Sequence, residues 1–346
     1  MRFGLFGSAQ ARRGGPDADS GAGFREFVEN NVEAEALGYH STFIVEHHFT
    51  GFGQISATLN LLTWVGARTT TLRLGTAVIV LAWHNPVLLA EQAATIDLLS
   101  GGRLDFGIGK GYRYNEFAGF ATPMEEADGR FDESLEVMRK AWTSDTPWSH
   151  RGKYWRFDDV VVEPPTAQKP HPPLWMGAGS DASIRKVAAL GFNLLLDQYA
   201  SIEQIRERIA LFKAEVKAQG RVFDPMSVGV TRSINLVTTA EDLERAMVNR
   251  VAARRRIDRL TQRPDGTAPN RAQLSDAEIR ASALYGTPDE VAVMMQALRV
   301  TGAEYVLLNS AGGRPTLRRF ARELMPAFSD AAALTAGAYL EERMTP

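Results

Sequence analysis

The sequence predicts an α/β protein folded as a (β/α)8 TIM barrel with an insertion after strand seven. Short apolar runs followed by amphipathic segments recur along nearly the whole chain of 346 residues, which is the pattern of β/α units. Hydrophobic residues make up 45% of the chain and can bury a large core. Such units, joined by right-handed crossovers, close into a barrel. The alternative is a pair of doubly wound halves divided near residues 146–173, because proline-rich connectors often mark domain boundaries.

The first four units are each predicted as a strand and its following helix. In chain order the strands are 2–6, 42–45, 72–81 and 104–108, and the helices are 24–37, 55–68, 86–99 and 130–142. The polar, proline-rich segment 146–173 then joins the fourth helix to the fifth strand. Because a helix-to-strand connection lies at the amino-terminal end of the strands, we expect this segment on the face away from chemistry.

The second half of the chain continues the same pattern up to strand seven. Its strands are predicted at 174–176, 194–196, 227–237 and 305–308, and its helices at 182–190, 202–219 and 316–328. The helix that returns to strand eight is predicted at 289–301, which makes residues 237–288 an insertion on the catalytic face. We expect residues 1–330 to form one domain and 331–346 a C-terminal tail.

Within the insertion, residues 261–276 (TQRPDGTAPNRAQLSD) are polar and poor in large apolar groups. Such a segment cannot bury enough apolar surface to order itself firmly. Its place on the catalytic face predicts a mobile lid, and an ordinary surface loop is the alternative.

Composition favours a small-molecule partner. The formal net charge is -2, and acidic and basic residues are interspersed, so no broad positive footprint for nucleic acid or an anionic membrane is visible. The chain has no cysteine, which excludes disulfides, zinc–thiolate sites and thiol catalysis, and fits a reducing compartment. The start MRFGLFGSAQ lacks the apolar segment of a signal peptide, and no window resembles a membrane helix. We expect a soluble cytoplasmic protein.

Two adjacent histidines follow the second predicted strand in the stretch VEHHFTGFG. Metal binding by His47 and His48 is the first interpretation to consider. Successive side chains of an extended chain point to opposite faces, and no other His or Cys lies nearby in sequence. The sequence therefore predicts no metal site, with one imidazole facing a pocket and the other packing or forming a hydrogen bond.

Three alternate glycines, Gly107, Gly109 and Gly111, end the fourth strand in RLDFGIGKGY. Glycines at this spacing predict a place where a flat ligand approaches the backbone. Tyr112 occupies the position where a G-x-G-x-x-G motif would need its third glycine. Lys110 and Arg113 add positive charge that suits a phosphate, although exposed basic residues beside a loop can also be merely solvated.

The stretch LWMGAGSDAS follows the fifth predicted strand and opens a helix. Gly177, Gly179 and Ala182 match G-x-G-x-x-A, and Asp197 ends the next strand, so the stretch is close to a dinucleotide fingerprint. Both an NAD site and a plain phosphate site would use backbone N–H groups at the helix N-terminus, with Ser180 as N-cap. The dinucleotide motif usually opens its domain, whereas barrels use late loops for phosphate, so a phosphate site is favoured.

Three stretches of the chain together resemble the bacterial luciferase family of flavin-dependent monooxygenases. They are VEHHFTGFG, GTAVIVLAWHNPV and PVLLAEQAATIDLLSGGRLDFGIGKGY, and the resemblance continues through WMGAGS and YGTPDEV. It implies a TIM-like, usually dimeric, flavin-binding barrel. It also implies that reduced FMN (FMNH2) and O2 oxygenate a small organic substrate through a flavin C4a-hydroperoxide, with the flavin supplied by a separate NAD(P)H-dependent reductase.

The resemblance also implies roles for individual residues. His47 matches the active-site histidine of the family, Glu46 its neighbouring carboxylate, and Glu116 an acidic residue of the site. An imidazole has an ordinary pKa near 6.5, which suits proton movement at neutral pH.

Cofactor contacts are implied at the ends of strands three, four and five. Ala77 and Val78 match a pair whose peptide bond is often cis and supports the flavin ring. Gly109 and Lys110 stand where luciferase has a cysteine and an arginine. The turn Gly177, Ala178, Gly179 and Ser180 lies where the phosphate is bound. The missing cysteine at Gly109, the lysine in place of an arginine at Lys110 and a turn sequence that differs from that of luciferase argue against light emission and a long-chain aldehyde substrate.

Two other functions stay open on the sequence. One is hydride transfer with a deazaflavin, as in other members of the same superfamily. The other is a non-catalytic flavin-binding relative, against which His47 argues. The organic substrate is not identified, because eight separate loops shape the pocket of a barrel enzyme.

Overall fold

A computed structural model describes residues 1–11, 14, 17–266 and 274–329. Eight parallel strands form a closed barrel. They are β1 (Arg2–Gly7), β2 (Ser41–Ile44), β3 (Arg73–Thr76), β4 (Leu104–Gly109), β5 (Leu174–Gly177), β6 (Asn193–Leu196), β7 (Val228–Leu236) and β8 (Tyr305–Ser310). The ring closes where β1 pairs with β8, with Arg2 opposite Tyr305 and Leu5 opposite Leu308. The predicted fold class is confirmed, and the alternative of two doubly wound halves is wrong.

Helices form the outer layer, and each predicted helix overlaps an observed one. Those flanking the barrel are Ala22–Ala36, Thr58–Arg68, Pro86–Leu99, Ala127–Thr143, Asp181–Leu190, Ile202–Ala218, Pro288–Arg299 and Gly313–Arg319, the last continuing through the π turn Phe320–Leu324 into Met325–Phe328. Local chemistry sets their ends. Asn85 caps the third of these helices by accepting from the backbone of Val87 and Leu88, and Pro86 occupies its first turn. No helix in the described part of the chain is long and apolar enough to cross a membrane.

Aromatic rings fill part of the barrel interior. Phe43, Trp175 and Tyr305 come from β2, β5 and β8 and meet edge to face, with ring centroids 5.4 to 6.3 Å apart. Such pairs add to the stabilisation from buried area. A Cβ on Gly75 of β3 would lie 2.4 Å from the Phe43 ring, so the packing here requires a glycine.

The third strand is interrupted where the sequence predicts one run, 72–81. β3 ends at Thr76, the Ala77–Val78 peptide bond is cis, and the short strand Ile79–Val80 then pairs with the end of β4. The interruption turns the chain at the carboxyl end of the barrel.

The connection between the fourth helix and β5 contains an antiparallel hairpin that the sequence did not predict. Its strands are Trp148–Arg151 and Arg156–Val160. The Glu133 carboxylate accepts hydrogen bonds from the backbone N–H groups of Lys153, Tyr154 and Trp155 at its turn. The hairpin leads into the start of β5, on the face away from the strand ends that carry the site residues.

The insertion after β7 contains the helix Ala240–Arg259, the short helix Asp276–Ala281 and the strand Leu284–Gly286. This strand pairs with β7, placing Leu284 opposite Ile234 and Gly286 opposite Leu236. Arg250 and Arg254 fix the long helix to the barrel, because their guanidinium groups lie 4.8 and 4.4 Å from the Tyr199 ring.

The far end of the insertion reaches across the barrel mouth. The Arg256 guanidinium lies 5.2 Å from the Phe52 ring in the loop after β2. Arg263 contacts the sulfur of Met124, beyond β4, at 3.9 Å. Of the predicted lid, 261–276, residues 267–273 lie outside the described residues, as does the predicted tail 331–346.

Candidate active site

The loops after β2 and β4 bring His47 between two charged groups. Its Nδ1 lies 3.1 Å from Oε1 of Glu116, and its Nε2 lies 3.0 Å from Nη2 of Arg113. Glu116 and Arg113 are each 2% exposed. Arg113 ends the loop after β4, and Glu116 lies in the first turn of the helix Tyr114–Gly119. The structure thus unites a histidine and a carboxylate that the sequence selects on separate strand ends.

The surroundings of His47 favour its neutral form. Burial is the largest influence and lowers its pKa, while the hydrogen bond with Glu116 acts in the opposite direction and the charge of Arg113 lowers the pKa further. The net result is a pKa below the ordinary value of 6.5. A neutral imidazole at this place can take up or hold a proton.

Glu46 is the centre of a second network. Its carboxylate lies 3.0 Å from Nε2 of His48, accepts a hydrogen bond of 2.9 Å from Nε1 of Trp83 and lies 3.1 Å from Nε2 of His84. Burial raises the pKa of Glu46, but the hydrogen bonds and charges of His48 and His84 outweigh burial and leave the pKa lowered. Glu46 is therefore held as a buried carboxylate.

The adjacent histidines turn to different carboxylates, His47 to Glu116 and His48 to Glu46. One imidazole lies in each network, so both form polar contacts, and which of them faces a substrate pocket stays a prediction. Within the described ranges, no group of three or more His, Asp or Glu residues has a geometry that could hold a metal ion.

Trp83 and His84 were missed by sequence reasoning. They belong to the LAWHNPV stretch, between the strand Ile79–Val80 and the helix Pro86–Leu99. Their place after strand three, on the same face as VEHHFTGFG, is the signal that could have found them. The Trp83 indole also stacks on Phe120, with ring centroids 5.1 Å apart.

An aromatic surface borders this second network. The His48 ring lies 4.7 Å from the ring of Phe120, which in turn lies 5.0 Å from Phe49. Phe49 is 58% exposed and has a φ of 53°, unusual for a residue with a side chain. An exposed apolar surface beside polar groups suits the apolar part of an organic ligand.

The structure gives the three glycines after β4 a role in packing, and the approach of a flat ligand to this backbone stays a prediction. A Cβ on Gly107 would lie 1.9 Å from the carbonyl oxygen of Thr76, and one on Gly109 would lie 2.6 Å from Cγ2 of Val78. Gly111 has a φ of 81°, which favours glycine. These glycines allow close strand packing and a turn, because protein atoms occupy the space beside them.

The two basic residues of this loop separate. Lys110 is exposed and forms an ion pair with Asp128 at 2.7 Å. Arg113 turns inward to His47, so the expectation that it adds charge for a phosphate is wrong. Of these two basic residues, Lys110 is the one that stays exposed, and its contact with a phosphate stays a prediction.

The turn after β5 borders open space. A Cβ on Gly177 would have no heavy atom within 4 Å. Ser180 is the N-cap of the helix Asp181–Leu190, as predicted, and forms a capping box with Ser183. Ala178 and Gly179 complete the turn and are partly buried. Backbone N–H groups at such a helix start suit an anion.

Arg208 adds a cation beside this turn. Its guanidinium lies 3.4 Å from the place of a Cβ on Gly179, and 3.4 Å from Oδ2 of Asp197. Asp197 therefore pairs with an arginine, and with the barrel fold the NAD interpretation of G-x-G-x-x-A is wrong. Sequence reasoning missed Arg208 because it lies within the helix Ile202–Ala218, where no motif marks it.

Comparison with known proteins finds similar proteins along almost the whole chain. The model of the family described as luciferase-like monooxygenase matches residues 1–305. The oxygenase component of the flavin-dependent trigonelline monooxygenase of Acinetobacter baylyi is 26% identical over 356 residues, which covers 95% of this chain and 96% of the relative. The crystal structure of monooxygenase RslO1 from Streptomyces bottropensis superposes with a TM-score of 0.79 at 28% identity, covering 95% of this chain and all of that one.

A relative with another cofactor also matches. The F420-dependent glucose-6-phosphate dehydrogenase of Segniliparus rotundus is 33% identical over 177 residues. That match covers 48% of this chain and 51% of the dehydrogenase. The sequence relationship with the trigonelline monooxygenase extends over about twice that share of the chain.

Proposed function

The chain belongs to the luciferase-like monooxygenase family and is an oxidoreductase, and from this we propose that it uses reduced FMN and O2 to oxygenate a small organic substrate. The observation that carries the proposal is the contact of the partly exposed His47 with the buried Glu116 at the carboxyl ends of the barrel strands. It joins two polar residues that the family resemblance assigns to the site. The intact contact also argues against a non-catalytic relative.

The strand ends around the mouth fit a flavin. Reduced flavin, when bound, supplies the electrons that activate oxygen. The backbone at Ala77 and Val78 after β3 and at Gly109, the last residue of β4, would support its ring. The start of the helix Asp181–Leu190, after the turn Gly177–Ser180, and the Arg208 guanidinium would supply N–H groups and positive charge for its phosphate, together with the exposed Lys110.

The protein's own groups would then orient the substrate, exclude water and manage protons. His47, held neutral, is placed to accept or return a proton at its ring. The carboxylate of Glu46 keeps His48, Trp83 and His84 in fixed positions beside the aromatic surface. That surface supports an organic substrate with an apolar or planar part, lying against Phe120 and Phe49.

We also propose a separate flavin reductase and a homodimer. The Acinetobacter relative is named as the oxygenase component of its enzyme, which supports a second protein that supplies reduced flavin. Large apolar side chains exposed on neighbouring helices support the dimer, among them Trp64 at 64% and Leu99 at 71% exposure.

Anaerobic titration tests the cofactor. We expect reduced FMN to bind more tightly than oxidised FMN and more tightly than a reduced deazaflavin, followed by substrate-dependent oxygen uptake when a reductase and NADH are added. The deazaflavin alternative draws on the match to the Segniliparus dehydrogenase. Binding of deazaflavin alone, with hydride transfer that needs no oxygen, would establish that alternative and exclude monooxygenation.

A further inference from the structure

Arg113 makes an unusual contact for a buried arginine. Its Nη2 lies 3.0 Å from Nε2 of His47, while its Nη1 lies 3.8 Å from Oε1 of Glu116, too far for a hydrogen bond. Nε and Nη1 have no hydrogen-bond partner within the described ranges. The Arg113 side chain is 2% exposed, so the guanidinium itself is almost fully shielded from solvent where it meets the partly buried imidazole.

The donor chemistry of arginine decides where the proton of His47 lies. A guanidinium has only donors and stays protonated, so Nε2 of His47 must accept through its lone pair. The single proton of the neutral ring then lies on Nδ1, where it is donated to Glu116. A proton on Nε2 would face an N–H group of Arg113, and the imidazolium would lie beside a second positive charge.

We infer that Arg113 is a positioning residue that holds His47 in the neutral Nδ1–H tautomer and reserves its Nε2 lone pair. A proton can reach Nε2 only when the Arg113 side chain moves away, so the timing of the proton step depends on this arginine. The charged groups that face the imidazole are Arg113, Glu116 and Glu46, and Glu46 is already occupied by His48 and His84. Arg113 is therefore the cation among them that opposes protonation of the ring.

Nuclear magnetic resonance of the full chain, with nitrogen-15 and carbon-13 in histidine, tests the inference without flavin or turnover. The six histidines make the spectrum tractable, and a His47→Asn variant assigns the signal. We expect the nitrogen shifts of His47 to show a protonated Nδ1 and an unprotonated Nε2. A ring protonated on Nε2 in the wild-type protein would overturn the inference, whatever the function of the enzyme.

The Arg113→Met variant tests the role of the charge. Removing a cation at hydrogen-bond distance should raise the proton affinity of His47 by at least about tenfold, because a neighbouring charge shifts a pKa by roughly 1 to 3 units. Lys110→Met is the matched control, since Lys110 is an exposed cation of the same loop, paired with Asp128, and its loss should leave the titration of His47 unchanged.

Arg113→Lys keeps the charge and a donor, and should hold the proton affinity of His47 within about threefold of the wild-type value. This variant keeps the test informative if the methionine variant does not fold. A His47 titration that is the same in wild type and Arg113→Met would show that the arginine only fills space. If the proposed monooxygenase function were wrong, these titrations would still stand.

Discussion

At the scale of single residues, His47 depends on two charged groups, Arg113 and Glu116, from the segment after β4. Replacing it with alanine removes the imidazole but none of the expected cofactor contacts. We expect His47→Ala to bind flavin normally and to lose about 10² to 10⁴ in turnover, or roughly 3 to 5 kcal/mol of barrier. Steady-state kinetics and flavin titration measure the two effects. The control is His150→Ala, because His150 lies on the hairpin between the fourth helix and β5, where it pairs with Glu133 of the helix Ala127–Thr143. Wild-type turnover in His47→Ala would refute the assigned role.

Glu46 should stabilise the fold as well as orient the side chains of its own network. Its folded-state pKa is lowered from 4.5, so its ionised form stabilises the fold above 4.5, and this contribution is lost as pH falls through the folded-state value. Glu46→Gln places an amide NH2 among N–H donors and should cost about 1 to 3 kcal/mol at neutral pH. This loss in the free energy of unfolding should be smaller at acidic pH, because the carboxylate of Glu46 contributes less there.

Chemical denaturation at neutral pH, and at the most acidic pH at which both proteins stay folded, measures this difference. Glu125→Gln is the control, since that side chain is exposed. A loss for Glu46→Gln that is the same at both pH values would mean that the charge of Glu46 contributes no stability.

At the scale of elements, the helix Asp181–Leu190 starts at the open turn, with Arg208 from the next helix beside it. We expect Lys110→Ala and Arg208→Ala each to weaken FMN by about 1.5 to 3 kcal/mol, the range for a charged hydrogen bond. Riboflavin lacks the phosphate and should be hardly affected. Calorimetric titration with both ligands gives the comparison, and Lys153→Ala on the remote hairpin is the control. A variant that weakens both ligands equally does not act through the phosphate.

The insertion supplies the second prediction at this scale. Arg256 and Arg263 bring the described part of the insertion to the loops after β2 and β4, and we predict that the segment following them in the sequence shields the site from water. We expect replacement of residues 264–273 by a short Gly-Ser linker to leave folding and flavin binding intact. Ser275, which caps the next helix, is kept.

In this variant oxygen consumption should yield more hydrogen peroxide and less oxygenated product. A peroxide assay beside product analysis measures the ratio, and a variant with the residues 264–273 in scrambled order controls for length. Unchanged coupling of oxygen use to product would identify the segment as an ordinary surface loop.

At the scale of the whole molecule, much of the architecture could be predicted because it is encoded locally. Parallel strands buried on both faces read as apolar runs, and caps such as Asn85 and Ser180 mark helix starts. The site was predicted only in part. Glu46 and His47 stand in the stretch VEHHFTGFG, and Glu116 follows RLDFGIGKGY by four residues. Arg208, by contrast, comes from a helix interior, and the inward turn of Arg113 depends on its surroundings. Such contacts depend on how several loops fit together in space, and no spacing of residues within a sequence motif encodes that fit.

The proposed homodimer concerns the surface of the whole molecule. Trp64 and Leu99 are large, apolar and exposed on the helices Thr58–Arg68 and Pro86–Leu99. We expect Trp64→Glu with Leu99→Glu to yield a monomer, measured by light scattering after size-exclusion chromatography. Val222→Glu is the control, because Val222 is 94% exposed and lies outside both helices. A wild-type protein that is monomeric at all concentrations would refute the proposal.

The pairing of Leu284–Gly286 with β7 has an evolutionary consequence. The insertion leaves the barrel after Leu236 and returns on a strand whose Gly286 lies opposite Leu236. Its two ends are therefore about 5 Å apart, the spacing of neighbouring strands. A segment anchored at two adjacent points can be lengthened, shortened or replaced as a cassette without disturbing the register of the barrel. Exchange of this cassette between relatives offers a route to new substrate ranges on an unaltered cofactor scaffold.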